Sequence, residues 1–287
     1  MPDWRFEAIG THWEIETAEP LSPETRDAVS VRIEAFDSQW SRFRDDSLVA
    51  RLARAGGTVP APSDAADMLD AYAALSEATD GAVNPLVGES LARLGYDAAL
   101  TLDPGDPVRA PADWRSVLRW DAQTLGLVRP ATIDVGALGK GRLVDLVLAE
   151  LADVPGDLVV DASGDLAVRG GPVRVGLEHP YDPSRVVGVI EVEDAALCAS
   201  ATNRRAWGDG LHHVLDARTG LPVRAIAATW AIAPSAMRAD AVATALFFDG
   251  GPELAAAWGV QWARMTTAGT VEWAPGFDGE LFVPARS

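Results

Sequence analysis

Large apolar and polar residues alternate along "WRFEAIGTHWEIET", from Trp4 to Ile15, with an interruption at Gly10 and Thr11, so the stretch predicts two strands joined by a bend. Pro20 and Pro23 bracket a helix start. Val29, Ile33, Phe36, Trp40 and Phe43 then recur at helical steps, predicting a helix from Glu24 that breaks at "SRFRDDS" and restarts toward Ala55 with Ser47 as its cap. "PSDAADMLDAYAALSEATDG" repeats the helical pattern, with Ser63 expected as N-cap and Gly81 as terminator. From Leu102 to Pro111, "LDPGDPVRAP" crowds Pro, Gly and Asp together and reads as a loop and lobe boundary. Short strand-like runs follow ("SVLRWD", "TLGLVRP", "DLVVDAS", "LAVRG", "VRVGLE", "VVGVIEV"), interrupted by the helical "GRLVDLVLAELAD". "AIAATWAIAPS" predicts a strand leading into the helix "SAMRADAVATALFFDG", and "VQWARMTTAGTVEWA" a hairpin turning near Gly269. Together these elements predict an α+β fold: two packed lobes around mixed, largely antiparallel sheets with flanking helices.

Composition narrows the partners. Forty-two Asp and Glu against 24 Lys and Arg leave a net charge of −18, which repels nucleic acid and anionic membrane surfaces. The same excess repels any anionic small molecule, so a nucleotide site here needs a local cation, either Lys/Arg or a metal. Cys198 is the single cysteine and is expected in the core, without disulfide or zinc chemistry. "MPDWRFEAIG" has neither a basic nor an apolar leader region, and no apolar run reaches the length of a bilayer span, so no membrane insertion and a cytoplasmic setting are expected.

Four clusters could carry chemistry. The glycines of "DVGALGKG", residues 134–141, miss both the GxGxxG and the GxxxxGK[ST] spacing; what remains is a strand-to-helix turn whose N–H groups could face a phosphate, with Lys140 adding charge. "DASGD", residues 161–165, is the second. In "HHVLDARTG" strand alternation puts His213 and Leu215 on one face and His212 on the other, which fits either a cleft histidine or a packing one. Asp240 and Thr244 lie one helical turn apart on a face that also carries Met237 and looks buried. A carboxylate there costs several kcal/mol (order of magnitude) unless it is paired or holds a cation. The choices are a metal, a distant Arg, Arg238, or a face open to solvent. Carboxylate and hydroxyl form a hard-oxygen set suited to Mg²⁺ and poor for zinc.

Taken in order, these stretches resemble the ApbE-type flavin transferases, the FAD:protein FMN transferases. "IGTHW" resembles that family's MGT element, "WSRFRDDSLVARL" its StYxxdSelsrlN segment, and "ATDGAVNPLVGESL" its SdGafDpTvgpL. "DVGALGKGRLVD" resembles DlGgiaKGyavD, and "VVDASGDLAV" the NlGGdi strand. "LCASATNRRAW" with "LHHVLDARTGLPV" is similar to the tSGdyer and HiiDPrTGxP pair, and "SAMRADAVATALFFDG" to tameADalaTalfvlG. The likeness runs over about residues 9 to 250, and the HxxDxxTG plus ADAxxT pair is its most specific part.

The resemblance implies a single domain over residues 1–287 that uses Mg²⁺ to transfer the FMN portion of FAD to a Thr or Ser hydroxyl of an acceptor flavoprotein, releasing AMP. Asp240 and Thr244 match the metal-binding side chains and Ala137 the backbone-carbonyl ligand. Asp134 and Lys140 match contacts to the flavin nucleotide, Phe43 an aromatic near the isoalloxazine, and Ala82, Val83 and Asn84 a nucleotide-contacting run. His213 matches the histidine near the reaction centre, with Asp240 as the other candidate base. Ile9, Phe43, Asn84, Leu86, Ser163, Ala201 and Asn203 depart from the family pattern, mostly on the flavin and acceptor side. Three other readings stay open: Mg²⁺-dependent hydrolysis of FAD to FMN and AMP, non-catalytic flavin binding or delivery, and a purely structural domain.

Overall fold

The computed structural model describes residues 2–282. The expected single domain over 1–287 therefore extends at both ends beyond the described residues. The first third of the chain forms β1 (Asp3–Ala8), β2 (Thr11–Thr17), α1 (Pro23–Trp40), α2 (Leu48–Ala55), β3 (Gly57–Pro60), α3 (Ala65–Ala78) and α4 (Gly88–Arg93). The middle forms α5 (Trp114–Val117), β4 (Leu118–Trp120), β5 (Thr124–Leu127), α6 (Gly139–Glu150), β6 (Leu158–Asp161), β7 (Asp165–Arg169), β8 (Val173–Glu178) and β9 (Val186–Val192). The rest forms β10 (Ala196–Ala201), β11 (Ala206–Trp207), β12 (Leu211–His212), β13 (Leu215–Asp216), β14 (Leu221–Pro222), β15 (Ile226–Ala233), α7 (Ala236–Ala245), α8 (Gly251–Trp258), β16 (Gln261–Thr266), β17 (Val271–Trp273) and β18 (Glu280–Leu281).

An eight-stranded sheet in the order β1-β2-β6-β7-β10-β15-β16-β17 forms the frame. Two cores lie on its opposite faces, sorted by strand alternation. Val160, Ala167, Cys198 and Ala231 face α1, α6 and α7, while Val159, Val168, Leu197 and Trp230 face the small sheet of β8, β9 and β18. The α+β class is as expected, but the sheets are more uniform than "mixed" implies. Every pairing among the described residues is antiparallel. No helix among them is long and apolar enough to cross a membrane.

Local chemistry explains most element ends. Ser22 and Ser47 cap α1 and α2, accepting from the Thr25 and Ala50 N–H groups. Ser63 does not cap α3. Asp64 holds that position, and its carboxylate is diverted to Arg142, at 2.7 and 3.0 Å, instead of the helix N–H groups. At the other end Gly81 donates to the Ser76 carbonyl at 2.7 Å, while Asp80 also takes a positive φ of 51°, so the stop is shared between the two. The 102–111 segment is irregular, as expected, and strands from either side of it pair: β3 with β5. Ala110 is further tied to the carbonyl of Ala217 at 2.9 Å.

The crossing of α6 and α7 positions everything chemical. Leu138, at the N-cap of α6, has no side chain that can cap. Asp240 of α7 supplies the missing acceptor, its Oδ2 receiving the Gly141 N–H at 2.9 Å. In return Asp145 of α6 accepts the N–H groups of Ala236 and Met237, at 2.7 and 2.9 Å, at the start of α7. A Cβ at Gly141 would sit 2.3 Å from the Ala236 carbonyl oxygen, so only glycine permits this approach. Gly141→Ala is expected to cost about 1–3 kcal/mol, the usual range for overpacking, read as a lowered denaturation midpoint. An unchanged midpoint would show that the two helices are not held at this distance.

Candidate functional site

Asp240 is 3% exposed and Asp165 only 1%, and the two lie side by side beneath the start of α6. β7 places Asp165 on the same sheet face as Ala167, toward the helices, with Cys198 opposite it on β10. Burial, then the Asp165 charge, pushes the Asp240 carboxyl well above the ordinary range; Lys140 and the Gly141 N–H work in the other direction. Lys140 Nζ stands 3.3 Å from Asp165 Oδ2, which makes no hydrogen bond of its own. Two buried carboxylates thus face one ammonium. Arg238 is not the partner of Asp240: its guanidinium lies over the Trp258 ring, 5.4 Å from the centroid.

Two further oxygen donors suited to a hard cation lie on the elements that cross here. Thr244, one turn along α7 from Asp240, is half-buried, and its hydroxyl makes no hydrogen bond among the described residues. The Ala137 carbonyl, just before α6, likewise accepts none among them. No cluster of three or more His, Cys, Asp or Glu is placed to hold a metal among the described residues. The set of Asp240, Thr244 and the Ala137 carbonyl, with Asp165 beside it, fits Mg²⁺, which keeps several waters and takes phosphate oxygens, and does not fit zinc.

The Asp134 carboxylate, expected as a nucleotide contact, has protein partners on both oxygens: Oδ2 accepts from Arg42 Nε at 2.5 Å and Oδ1 from the Gly136 N–H at 2.7 Å. The Tyr72 hydroxyl donates to the Asp134 carbonyl at 3.0 Å and accepts from the Ala137 N–H at 3.2 Å. Asp134 therefore braces the turn. Lys140 is also more committed than expected, donating to the carbonyls of Ala162 and Ser163 at 2.9 and 3.1 Å.

Phe43 is 38% exposed. The Arg42 guanidinium lies 4.1 Å from its ring centroid and 5.1 Å from that of Tyr96, which in turn stacks on Trp207 at 5.4 Å. This builds an aromatic platform with a cation inside it. Ala82, Val83 and Asn84 are buried, and the Asn84 side chain bridges the Pro111 carbonyl and the Leu86 N–H, so these side chains serve the fold. The strand expected across the two histidines is broken, β12 ending at His212 and β13 starting at Leu215. His212 accepts from the Val214 N–H at Nδ1, which leaves Nε2–H to donate to the Val223 carbonyl. His213 is half-buried, with its Nδ1 enclosed and unpartnered. Burial foremost, then Arg205 and His212, push its pKa down to about 3, while Asp134 opposes them. The ring is neutral near pH 7.

Asp165 closes the 161–165 cluster, but its place beside Asp240 was not legible there, and Arg42 and Tyr72 went unseen inside stretches with ordinary patterning. Ser163 is instructive in another way, because it holds a φ of 55° in the β6–β7 turn where a glycine would be unstrained, and its hydroxyl donates to the His12 carbonyl at 2.8 Å.

The overall fold, an antiparallel sheet with helices packed on one face, is shared with solved structures. The ApbE protein from Thermotoga maritima superposes with a TM-score of 0.83 at 21% identity, covering 96% of this chain and 99% of that one. Flavin Transferase ApbE from Vibrio cholerae gives 0.79 at 21% identity, covering 96% and 97%. The family model described as "ApbE family" matches residues 9–264, and the chain belongs to that family. A Rhodobacter capsulatus protein named FAD:protein FMN transferase is 28% identical over 295 residues, covering 93% of this chain and 55% of that protein. The chain thus spans about half the length of the curated relative it matches.

His213 offers a direct check on the electrostatics. The unfolded chain takes up a proton at this ring below its ordinary 6.5, whereas the folded protein does so only near 3, so acidification across that window favours unfolding. His213→Gln is expected to lose less stability than the parent between pH 6.5 and 4, and the His213 NMR signals are expected to stay neutral at pH 5. Titration near 6.5 would contradict the enclosed ring.

Proposed function

We propose that this chain transfers the FMN portion of FAD to a Thr or Ser hydroxyl of an acceptor flavoprotein, with release of AMP and with dependence on Mg²⁺. The observation that carries the reading is Asp240: a buried carboxylate at a helix start, next to a second buried carboxylate, an unbonded backbone carbonyl and a free hydroxyl. Membership of the ApbE family and the name of the Rhodobacter relative support it. Residues 1–287 act as one unit in this reading, supported by the pairing of β3 with β5 across the 102–111 segment.

In the reaction, the acceptor oxygen bonds to the flavin-side phosphorus, the phosphoanhydride bond breaks and AMP leaves; the hydroxyl proton must pass to a base. Asp240, Thr244 and the Ala137 carbonyl would hold Mg²⁺, which supplies charge neutralisation at the pyrophosphate. The remaining work falls to the chain's own groups. Lys140, at the start of α6, adds positive charge for the phosphates. Phe43 offers an exposed ring face to the planar flavin. With Asp240 committed to the cation, His213 is the group left to take or orient the hydroxyl proton, since its ring is neutral and its Nδ1 has no partner. Anionic phosphates nearby would counter the Arg205 charge and raise its basicity.

Purified protein with FAD and Mg²⁺ is expected to release AMP, EDTA to stop the release, and an acceptor flavoprotein domain to become fluorescent in a denaturing gel. Asp240→Asn is expected to lower turnover by about 100-fold or more, near the upper end of effects seen when metal-supporting residues are removed. Release without labelling would redirect the reading to hydrolysis, and bound FAD without release to a flavin carrier.

A further inference from the structure

The turn that carries the Ala137 carbonyl is clamped by a side chain from a distant helix. Tyr72 of α3 is 1% exposed, and its single hydroxyl reaches both ends of the turn, donating to the Asp134 carbonyl and accepting the Ala137 N–H. The Leu138 N–H donates to the Val135 carbonyl at 3.2 Å, which fixes the plane of the peptide between Ala137 and Leu138. In a trans peptide the carbonyl lies opposite the N–H, so the Ala137 oxygen is directed away from that bond. Arg42 steadies the turn from its other side through Asp134 Oδ2.

We infer that Tyr72 is a positioning residue of the cation site: its hydroxyl sets the main chain at Ala137 and thereby aims the Ala137 carbonyl at the ion. The inference rests on the reading that the Ala137 carbonyl, Asp240 and Thr244 hold a divalent cation. Removing the hydroxyl strands a part-buried carbonyl and a part-buried N–H, which must then find water or rotate, and either response moves the ligand. Supports one step removed from a metal commonly change its affinity by about 10- to 100-fold.

The test is Mn²⁺ binding, without FAD, to the full chain by calorimetry, comparing the parent with Tyr72→Phe and Asp240→Asn. Tyr72→Phe is expected to bind Mn²⁺ about tenfold more weakly or worse at a temperature where it remains folded by circular dichroism. A merely structural tyrosine would lower the unfolding temperature and leave the affinity of the folded protein unchanged, and that result overturns the inference. Should Tyr72→Phe fail to fold, Arg42→Gln releases the same turn from the other side and is expected to weaken Mn²⁺ likewise; parental affinity there counts against the clamp. If the parent binds Mn²⁺ no better than Asp240→Asn, the cation site itself fails and the inference falls with it. If those two differ while Tyr72→Phe matches the parent, only the role of Tyr72 is lost.

Discussion

Two crossing helices each supply a carboxylate to the other's first turn, and the site exists because of that exchange. Asp240 of α7 receives an N–H from the first turn of α6, while Asp145 of α6 receives two from the start of α7, where Ser235 also caps. The absence of a side chain at Gly141 sets the distance. Each carboxylate sits at the positive end of the partner helix, where the macrodipole and the unsatisfied N–H groups favour negative charge. The same contact that joins the sheet's helical layer therefore holds a carboxylate inside the protein.

That carboxylate is not alone, and its neighbour changes the chemistry. Asp165 arrives from β7 on the helix-facing side of the sheet, so the pair carries more negative charge than Lys140 can balance. Like charges this close raise the pKa of one partner, as burial does, and Asp240 shows both effects. A divalent cation would relieve both at once. In a chain with a net charge of −18, such an ion would also be the natural bridge to a pyrophosphate that the bare protein repels.

Around this centre the rigid parts and the receptive parts are separate. The Asp134–Ala137 turn is braced by Tyr72 and Arg42, and most of its polar groups point inward. Phe43, by contrast, keeps an exposed ring over the Arg42 guanidinium, and His213 keeps an unpartnered nitrogen. Arg42 links the two regions, since it pairs with the Asp134 carboxylate and stacks on the aromatic platform at the same time.

Much of the fold could be read from local pattern. Helical and strand periodicity, serine caps at Ser47 and the glycine at Gly269 depend on neighbours in the chain, and so did the oddity of Asp240 and Thr244 on an apolar helix face. Family motifs added the Ala137 position and His213, which local pattern alone left ambiguous. What the chain order could not express was pairing across long separations. Arg42 takes the Asp134 carboxylate from 92 residues away, and Tyr72 clasps the turn from 62 and 65 residues away, so a residue read from a local motif also braces the main chain. Asp64, which takes the cap position expected of Ser63, makes no cap bond for the same reason, because Arg142, 78 residues on, draws its carboxylate aside. By itself the sequence determined the elements and the presence of a costly buried carboxylate, since both follow from side-chain periodicity and desolvation. Only the tertiary structure decided which charges meet that carboxylate, because strand register and the helix crossing at Gly141, set by packing, bring Asp165 and Lys140 to it.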